Sequence, residues 1–154
     1  MPGLPYVREF CELVVYQKQR RLAFGLFRAS AEFPKEERYS LIDQMRRASR
    51  SIGAQIAEAW AKRRYELHFI SKLTDADGEQ KETQHWVLTA CDCAYFSKVI
   101  ATEFLTRCTE IGRLLNRMIA TSSSYCQDPD NYTLQEDSGE FYAPIPTDDT
   151  DIGH

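Results

Sequence analysis

The sequence predicts an all-α protein, an up-down-up-down antiparallel four-helix bundle. Three observations lead there. Apolar residues recur at three- and four-residue intervals through four segments. Short breaks separate those segments, as they do between antiparallel neighbours in a bundle. No stretch alternates polar and apolar residues for long enough to read as a set of strands. With 154 residues the chain is long enough for one domain with a real core. The expected organisation is a lead-in over 1–11, a bundle over 12–120 and an acidic tail over 121–154.

The first helix is expected over about 12–31. Leu13, Tyr16, Phe24, Phe27 and Ala31 form one apolar stripe; Val15, Leu22, Leu26 and Ala29 form another. Together they are wider than one face of a simple surface helix requires. Such a helix either sits centrally or buries a second face against another subunit. Phe33-Pro34 ends it, because the residue before proline avoids the helical region.

The second helix is expected to start at Ser40. Ser40-Leu41-Ile42-Asp43 has the form of a capping box with aspartate in place of the usual Glu or Gln. Leu41, Met45, Ala48, Ile52, Ile56 and Ala59 mark its buried stripe. Gly53 inside this helix costs about 1 kcal/mol against alanine. It marks either a bend or a close helix contact.

The third helix is expected over about 66–94. Its seam is Phe69, Leu73, Ala76, Gln80, Thr83, Val87, Ala90 and Ala94, polar in the middle. The fourth follows Ser97, a suitable N-cap, and runs to about 120, with Ile100, Phe104, Ile111, Leu115 and Met118 as its seam. From Thr121 the composition changes. Three consecutive serines, three prolines and eight acids with no Lys or Arg read as a segment without its own core. Tyr132, Phe141 and Tyr142 are candidate anchors of that tail on the body, where it would compete with an anionic ligand.

The formal net charge of −4 conceals an asymmetry. Residues 1–74 carry 14 Lys/Arg and 8 Asp/Glu; residues 75–154 carry 5 and 15. Without its last 28 residues the chain has a net charge of +4. The body is therefore more basic than the whole-chain balance suggests. No apolar run approaches the roughly 20 residues of a bilayer span, and no secretory signal stands at the start. The expected location is the cytoplasm, with no membrane partner.

Five cysteines at irregular spacing do not form a disulfide framework. Cys91 and Cys93 are two apart, so on a helix they point to nearly opposite sides and share no metal readily. Small buried hydrophobe is the expected role. Glu82-Thr83-Gln84-His85 is an E-x-x-H on a helix, half of a di-iron pattern in ferritin-like bundles. The second half is missing, because Tyr65 stands three before His68. Polar contacts with neighbouring helices or subunits account for Glu82 and His85 more simply. The chain lacks the sequence patterns of P-loops, dinucleotide folds, nucleophile elbows and zincins. It is expected to be no enzyme and to need no cofactor or metal.

Arginines carry the main functional signal. Arg46 and Arg50, four apart, share a face of helix two, and Arg47 and Arg50, three apart, nearly do. Helices two and three should turn near 63–64, so residues summing to about 127 lie level. That register sets Arg50 beside Asp77 and Arg46 near Glu82. The simpler reading is a ladder of interhelical or intersubunit ion pairs; the functional reading is phosphate binding. Lys18, Arg21 and Arg28 on helix one, and Lys62, Arg63 and Arg64 at the second turn, have fewer matched acids. These nine residues are the nucleic-acid-binding candidates. They would hold phosphates without reading sequence, and salt would weaken the binding. Stacking aromatics are not interleaved with them, except Trp60 and Tyr65 at the second turn.

These residues also carry a family resemblance. Leu13-Val14-Val15-Tyr16-Gln17-Lys18, Phe33-Pro34-Lys35-Glu36-Glu37-Arg38-Tyr39-Ser40-Leu41, Gln44-Met45-Arg46-Arg47-Ala48, Ser51-Ile52 and Ile56-Ala57-Glu58 are its first marks. Glu82-Thr83-Gln84-His85-Trp86, Ala94-Tyr95-Phe96 and Glu110-Ile111-Gly112-Arg113-Leu114-Leu115-Asn116 complete it. Over about 8–120 the chain resembles the four-helix proteins encoded in intervening sequences of bacterial 23S ribosomal RNA genes, the S23-type family. The resemblance implies a homopentameric barrel. It also implies kinship with the accessory protein of diversity-generating retroelements, a basic pentamer that works with a reverse transcriptase and binds nucleic acid. The partners it implies are further copies of this chain, RNA or other nucleic acid, and a reverse transcriptase or other protein. The family commonly has Pro where Gly53 stands, Asn at Gln55, and Gly at Ala59 and Ala61. The replacements here should make the end of helix two more regular.

Overall fold

A computed structural model describes residues 7–126. It contains four α-helices and, among the described residues, no strand: α1 (Val14–Ser30), α2 (Leu41–Ala61), α3 (Glu66–Asp92) and α4 (Lys98–Ala120). Single 3-10 turns occupy Phe10–Glu12, Lys35–Glu37 and Ser122–Ser124. Each helix packs on its two neighbours in the order α1, α2, α3, α4 and back to α1. Contacts across each pair run in opposite chain directions. Gln19 and Ser30 of α1 meet Ser49 and Arg46 of α2, and Lys72 of α3 meets Glu58 of α2. Lys18 and Gly25 of α1 meet Glu110 and Phe104 of α4. The bundle is therefore antiparallel throughout. No described helix is long and apolar enough to cross a membrane.

The seams expected from spacing form the core. Leu22, Leu26, Met45, Ile52, Ile56, Phe69, Leu73, Val87, Ile111 and Leu115 are all buried. So are Gln80 and Thr83, the polar middle of α3. Thr83 donates its hydroxyl to the Glu79 carbonyl at 2.8 Å. Gln80 donates to Asp77 Oδ1 at 2.9 Å and accepts from Gln84 Nε2 at 2.7 Å. A buried amide is tolerated when both of its ends are satisfied.

Two glycines explain where the buried glutamines sit. A Cβ on Gly53 would overlap the side-chain amide of Gln19. A Cβ on Gly112 would lie 2.7 Å from Gln80 Nε2. Each glycine lets a glutamine of the preceding helix cross its backbone. Gly53 is thus a close helix contact, and α2 runs unbroken from Leu41 to Ala61.

Two helix ends differ from expectation. The hydroxyl of Ser40 does not cap α2. It donates instead to Glu37 Oε2 at 2.6 Å, and that same oxygen accepts from the Leu41 N–H at 3.2 Å. The cap is a carboxylate one turn upstream, where the helix dipole favours negative charge. The hydroxyl and N–H bonds hold the Glu37 carboxyl below its usual range, with help from the Tyr95 hydroxyl. At the far end α3 stops at Asp92, before Ala94. Ala94 has φ 60°, and the N–H groups of Ala94 and Tyr95 bond the carbonyls of Cys91 and Ala90. That is the Schellman arrangement, here with alanine at the left-handed position that glycine usually holds.

Packing continues past α4. Ser122 is buried and donates to Glu66 Oε1 at 2.6 Å, and the Tyr125 ring lies 5.9 Å from that of Phe69. The rest of the expected acidic tail, with Tyr132, Phe141 and Tyr142, lies outside the described residues.

Candidate nucleic-acid interface

The α2 arginines diverge by face. At 100° per residue Arg47 turns toward α3, whereas Arg46 and Arg50 share the side toward α1. Arg47 pairs with Glu82 at 2.5 Å, and Trp86 Nε1 donates to the same carboxylate oxygen at 3.3 Å. The expected level pairing of α2 and α3 is present in that contact and in Lys72 with Glu58.

The individual assignments are corrected. Arg46 does not reach Glu82. Its Nε donates to Ser30 Oγ at 2.9 Å and its terminal nitrogen to the Phe27 carbonyl at 3.0 Å. The α1 C-terminus thereby receives a cation against its last carbonyls, as helix ends favour. Nor does Arg50 meet Asp77, which instead accepts from Gln80. Among the described residues, neither Arg46 nor Arg50 has a carboxylate within ion-pair distance. Burial, then the neighbouring Arg50 charge, lowers the pKa of Arg46. Within the protomer, and among the described residues, the interhelical ion pair is present for Arg47 and absent for the other two.

What Arg46 and Arg50 meet is an aromatic ring. Their guanidinium carbons lie 4.5 Å and 5.6 Å from the centroid of Phe27, within cation–π range. The Phe27 ring is 40% exposed and runs nearly parallel to that of Phe24, 6.5 Å away. Arg28 sits 5.9 Å from the Phe24 centroid. These rings belong to the Leu13, Tyr16, Phe24, Phe27 and Ala31 stripe of helix one, which the protomer leaves partly open at Phe27. Aromatics are therefore interleaved with the basic residues here, contrary to the expectation from sequence. The signal was present as Phe24 and Phe27, but their neighbours come from another helix.

Three shallow grooves meet on this face. One of about 510 Å³ is lined by Arg38, Ile42, Asp43, Arg46, Arg47, Arg50, Ser51 and Ala54. Asp43 is its single acid. A second of about 390 Å³ includes Arg20, Phe24, Phe27 and Arg50. A third of about 380 Å³ includes Lys35, Arg38 and Arg46. Arg38 and Lys35 were not among the candidates read from sequence. The 3-10 turn before α2 brings them in.

The remaining candidates do not join this face. Lys18 pairs with Glu110 of α4 at 2.7 Å. Arg21 is exposed and lines none of the three grooves. Lys62, Arg63 and Arg64 lie beyond the C-terminus of α2, about 18 Å or more from Arg50 by helical rise. Arg63 packs 3.6 Å from the centroid of Trp60 and donates to the Trp60 carbonyl. Trp60 is 6% exposed, so no base can stack on it. Tyr65 is 59% exposed and tilts against His68.

The E-x-x-H residues of α3 are engaged by their neighbours. His85 packs against Trp86, while Glu82 receives Arg47 and Trp86. Among the described residues, no group of three His, Cys, Asp or Glu is placed to hold a metal ion. Burial pushes the Cys108 thiol up to about 12, the behaviour of a core residue and not of a nucleophile.

Comparison with known proteins places this architecture. No curated protein matches the chain. A solved structure of a protein of unknown function from the S23 ribosomal protein family of Bacteroides thetaiotaomicron is similar, with 27% identity and a TM-score of 0.61. The match covers 69% of this chain and 98% of that one. Residues 11–117 match the model of the 23S rRNA-intervening sequence protein family. Spanning all four helices, that match means the chain belongs to the 23S rRNA-intervening sequence protein family.

Proposed function

We propose that this protein is a non-catalytic binder of nucleic acid, RNA or an RNA–protein complex, working in the cytoplasm as a homopentamer. One observation carries the reading. Arg38, Arg46, Arg47 and Arg50 surround one open groove holding a single acid, beside the exposed ring of Phe27. Guanidinium groups hold phosphates without reading sequence, and an adjacent aromatic ring accepts any base by stacking. The half-open aromatic stripe of α1, with Val14, Leu88 and Val99 exposed elsewhere, supports assembly with further copies. Five copies would repeat the groove around a ring.

The same exposed apolar residues favour a second reading. In it the oligomer is a scaffold or accessory subunit, for example of a reverse transcriptase, without direct contact to nucleic acid.

Light scattering and fluorescence anisotropy with a short single-stranded RNA separate the two readings. The nucleic-acid reading expects a mass near five protomers and binding that weakens linearly in log affinity against log salt. It also expects Phe27→Ala to lower affinity by about 1–3 kcal/mol, the size of one base stack. A pentamer indifferent to RNA at low salt, but recovered with a protein partner, supports the scaffold. A monomer overturns the assembly.

A further inference from the structure

The basic groove has an anionic, aromatic candidate within its own chain. We propose that residues 136–142, Glu-Asp-Ser-Gly-Glu-Phe-Tyr, dock on the face formed by Arg38, Arg46, Arg50, Phe24 and Phe27. Two features of the chain converge on this occupant. The first is charge. The last 28 residues hold eight acids and no Lys or Arg, and three of those acids fall in this heptad. Arg46 and Arg50 lack carboxylate partners among the described residues, so they meet the acids without breaking an existing ion pair.

The second is apolar complementarity with sufficient reach. Phe141 and Tyr142 follow the acids directly, as Phe24 and Phe27 lie directly beside the arginines. The described chain ends at Cys126, next to Tyr125 on Phe69, at the end of the bundle where α2 turns into α3. Arg50 lies about 17 Å along α2 from that turn. Ten residues of extended chain from Cys126 to Glu136 span up to about 33 Å, so the acids reach the groove and the aromatics reach Phe27. An anion held at this concentration by its own linker competes with an external polyanion. The docking stands whether or not the groove also takes nucleic acid.

The test follows the arginine side-chain Nε–H resonances of the full chain at low salt, with no nucleic acid present. The comparison is the full chain carrying Glu136→Gln, Asp137→Asn and Glu140→Gln. Docking expects Arg46 and Arg50 to shift on substitution, Arg113 of α4 to stay, and high salt to move the unsubstituted chain to the same positions. Unchanged Arg46 and Arg50 resonances overturn it. A shift that fades on dilution also overturns it, because the occupant is then the tail of another copy. With single-stranded RNA, the substituted chain is expected to bind about tenfold tighter at low salt. Arginine shifts without RNA binding uphold the docking and defeat the nucleic-acid reading alone.

Discussion

Gln19 of α1 lies across the backbone of Gly53 of α2. Its amide is 4% exposed and donates to the Ser49 carbonyl at 2.9 Å. Gly53→Ala would gain helix propensity but drive a methyl group into that amide. A buried amide without its partner costs about 1–3 kcal/mol, more than the propensity returns. The substitution should lower the free energy of unfolding in denaturant titration by about 1–2 kcal/mol. In a Gln19→Ala background the same substitution should stabilise by about 1 kcal/mol. The sign reversal measures the contact; stabilisation in both backgrounds would leave Gly53 without this role.

Ala94 holds a left-handed conformation at φ 60° just past α3. An L-residue there carries about 1–2 kcal/mol of steric cost. Glycine removes that cost and returns part of it as unfolded-chain entropy. Ala94→Gly should therefore stabilise by about 0.5–1 kcal/mol. A lower denaturation midpoint would contradict the Schellman geometry.

Glu79 and Glu37 should tie stability to pH with opposite signs. Burial, then a hydrogen bond and like charge from Glu82, raises the Glu79 carboxyl. The unfolded chain loses this proton first, so the penalty develops as pH rises from 4.5 through the raised native value. Hydrogen bonds from Ser40 and the Leu41 N–H lower Glu37, so its contribution is full above 4.5 and lost as pH falls through the native value. Thermal melts should show Glu79→Gln stabilising more at pH 7 than at pH 4. Glu37→Gln should destabilise at pH 7 and lose its effect in acid. Equal effects at both pH values would remove the linkage.

Arg50 and Lys62 were equal candidates in the sequence, and the fold separates them. Arg50→Gln should weaken RNA binding uniformly across sequences and reduce the salt slope by about 0.7 for a single strand. Lys62→Gln should leave both nearly unchanged, because Lys62 lies about 18 Å away along the helix axis. Equal losses, measured by anisotropy across a salt series, would move the interface to the α2–α3 turn.

Helix identity was legible because spacing alone sets which residues share a face. Leu22, Met45, Phe69 and Leu115 were placed in seams by interval and are buried. The level pairing of α2 with α3 followed from a short turn. Ends were less legible. The Ser40 box failed because Glu37, in a separate turn, takes the Ser40 hydroxyl as a donor and accepts the Leu41 N–H itself. The site was only half legible. Arg46 and Arg50 were singled out, but Phe27, their actual partner, lies about twenty residues upstream on another helix.

The sequence by itself determined four amphipathic helices, their order, their core residues and a basic first half beside an acidic end. These are local periodicities and sums of charge, and neither needs a partner to be known. Tertiary structure decided which arginine pairs with an acid and which rests on a ring. It decided that Gly53 is a crossing point for Gln19, and that Lys35 and Arg38 join the groove while Lys62 does not. Those outcomes depend on the rotation of each helix about its axis. A rotation of 100°, one residue step, separates the Arg47–Glu82 ion pair from the stacking of Arg46 on Phe27.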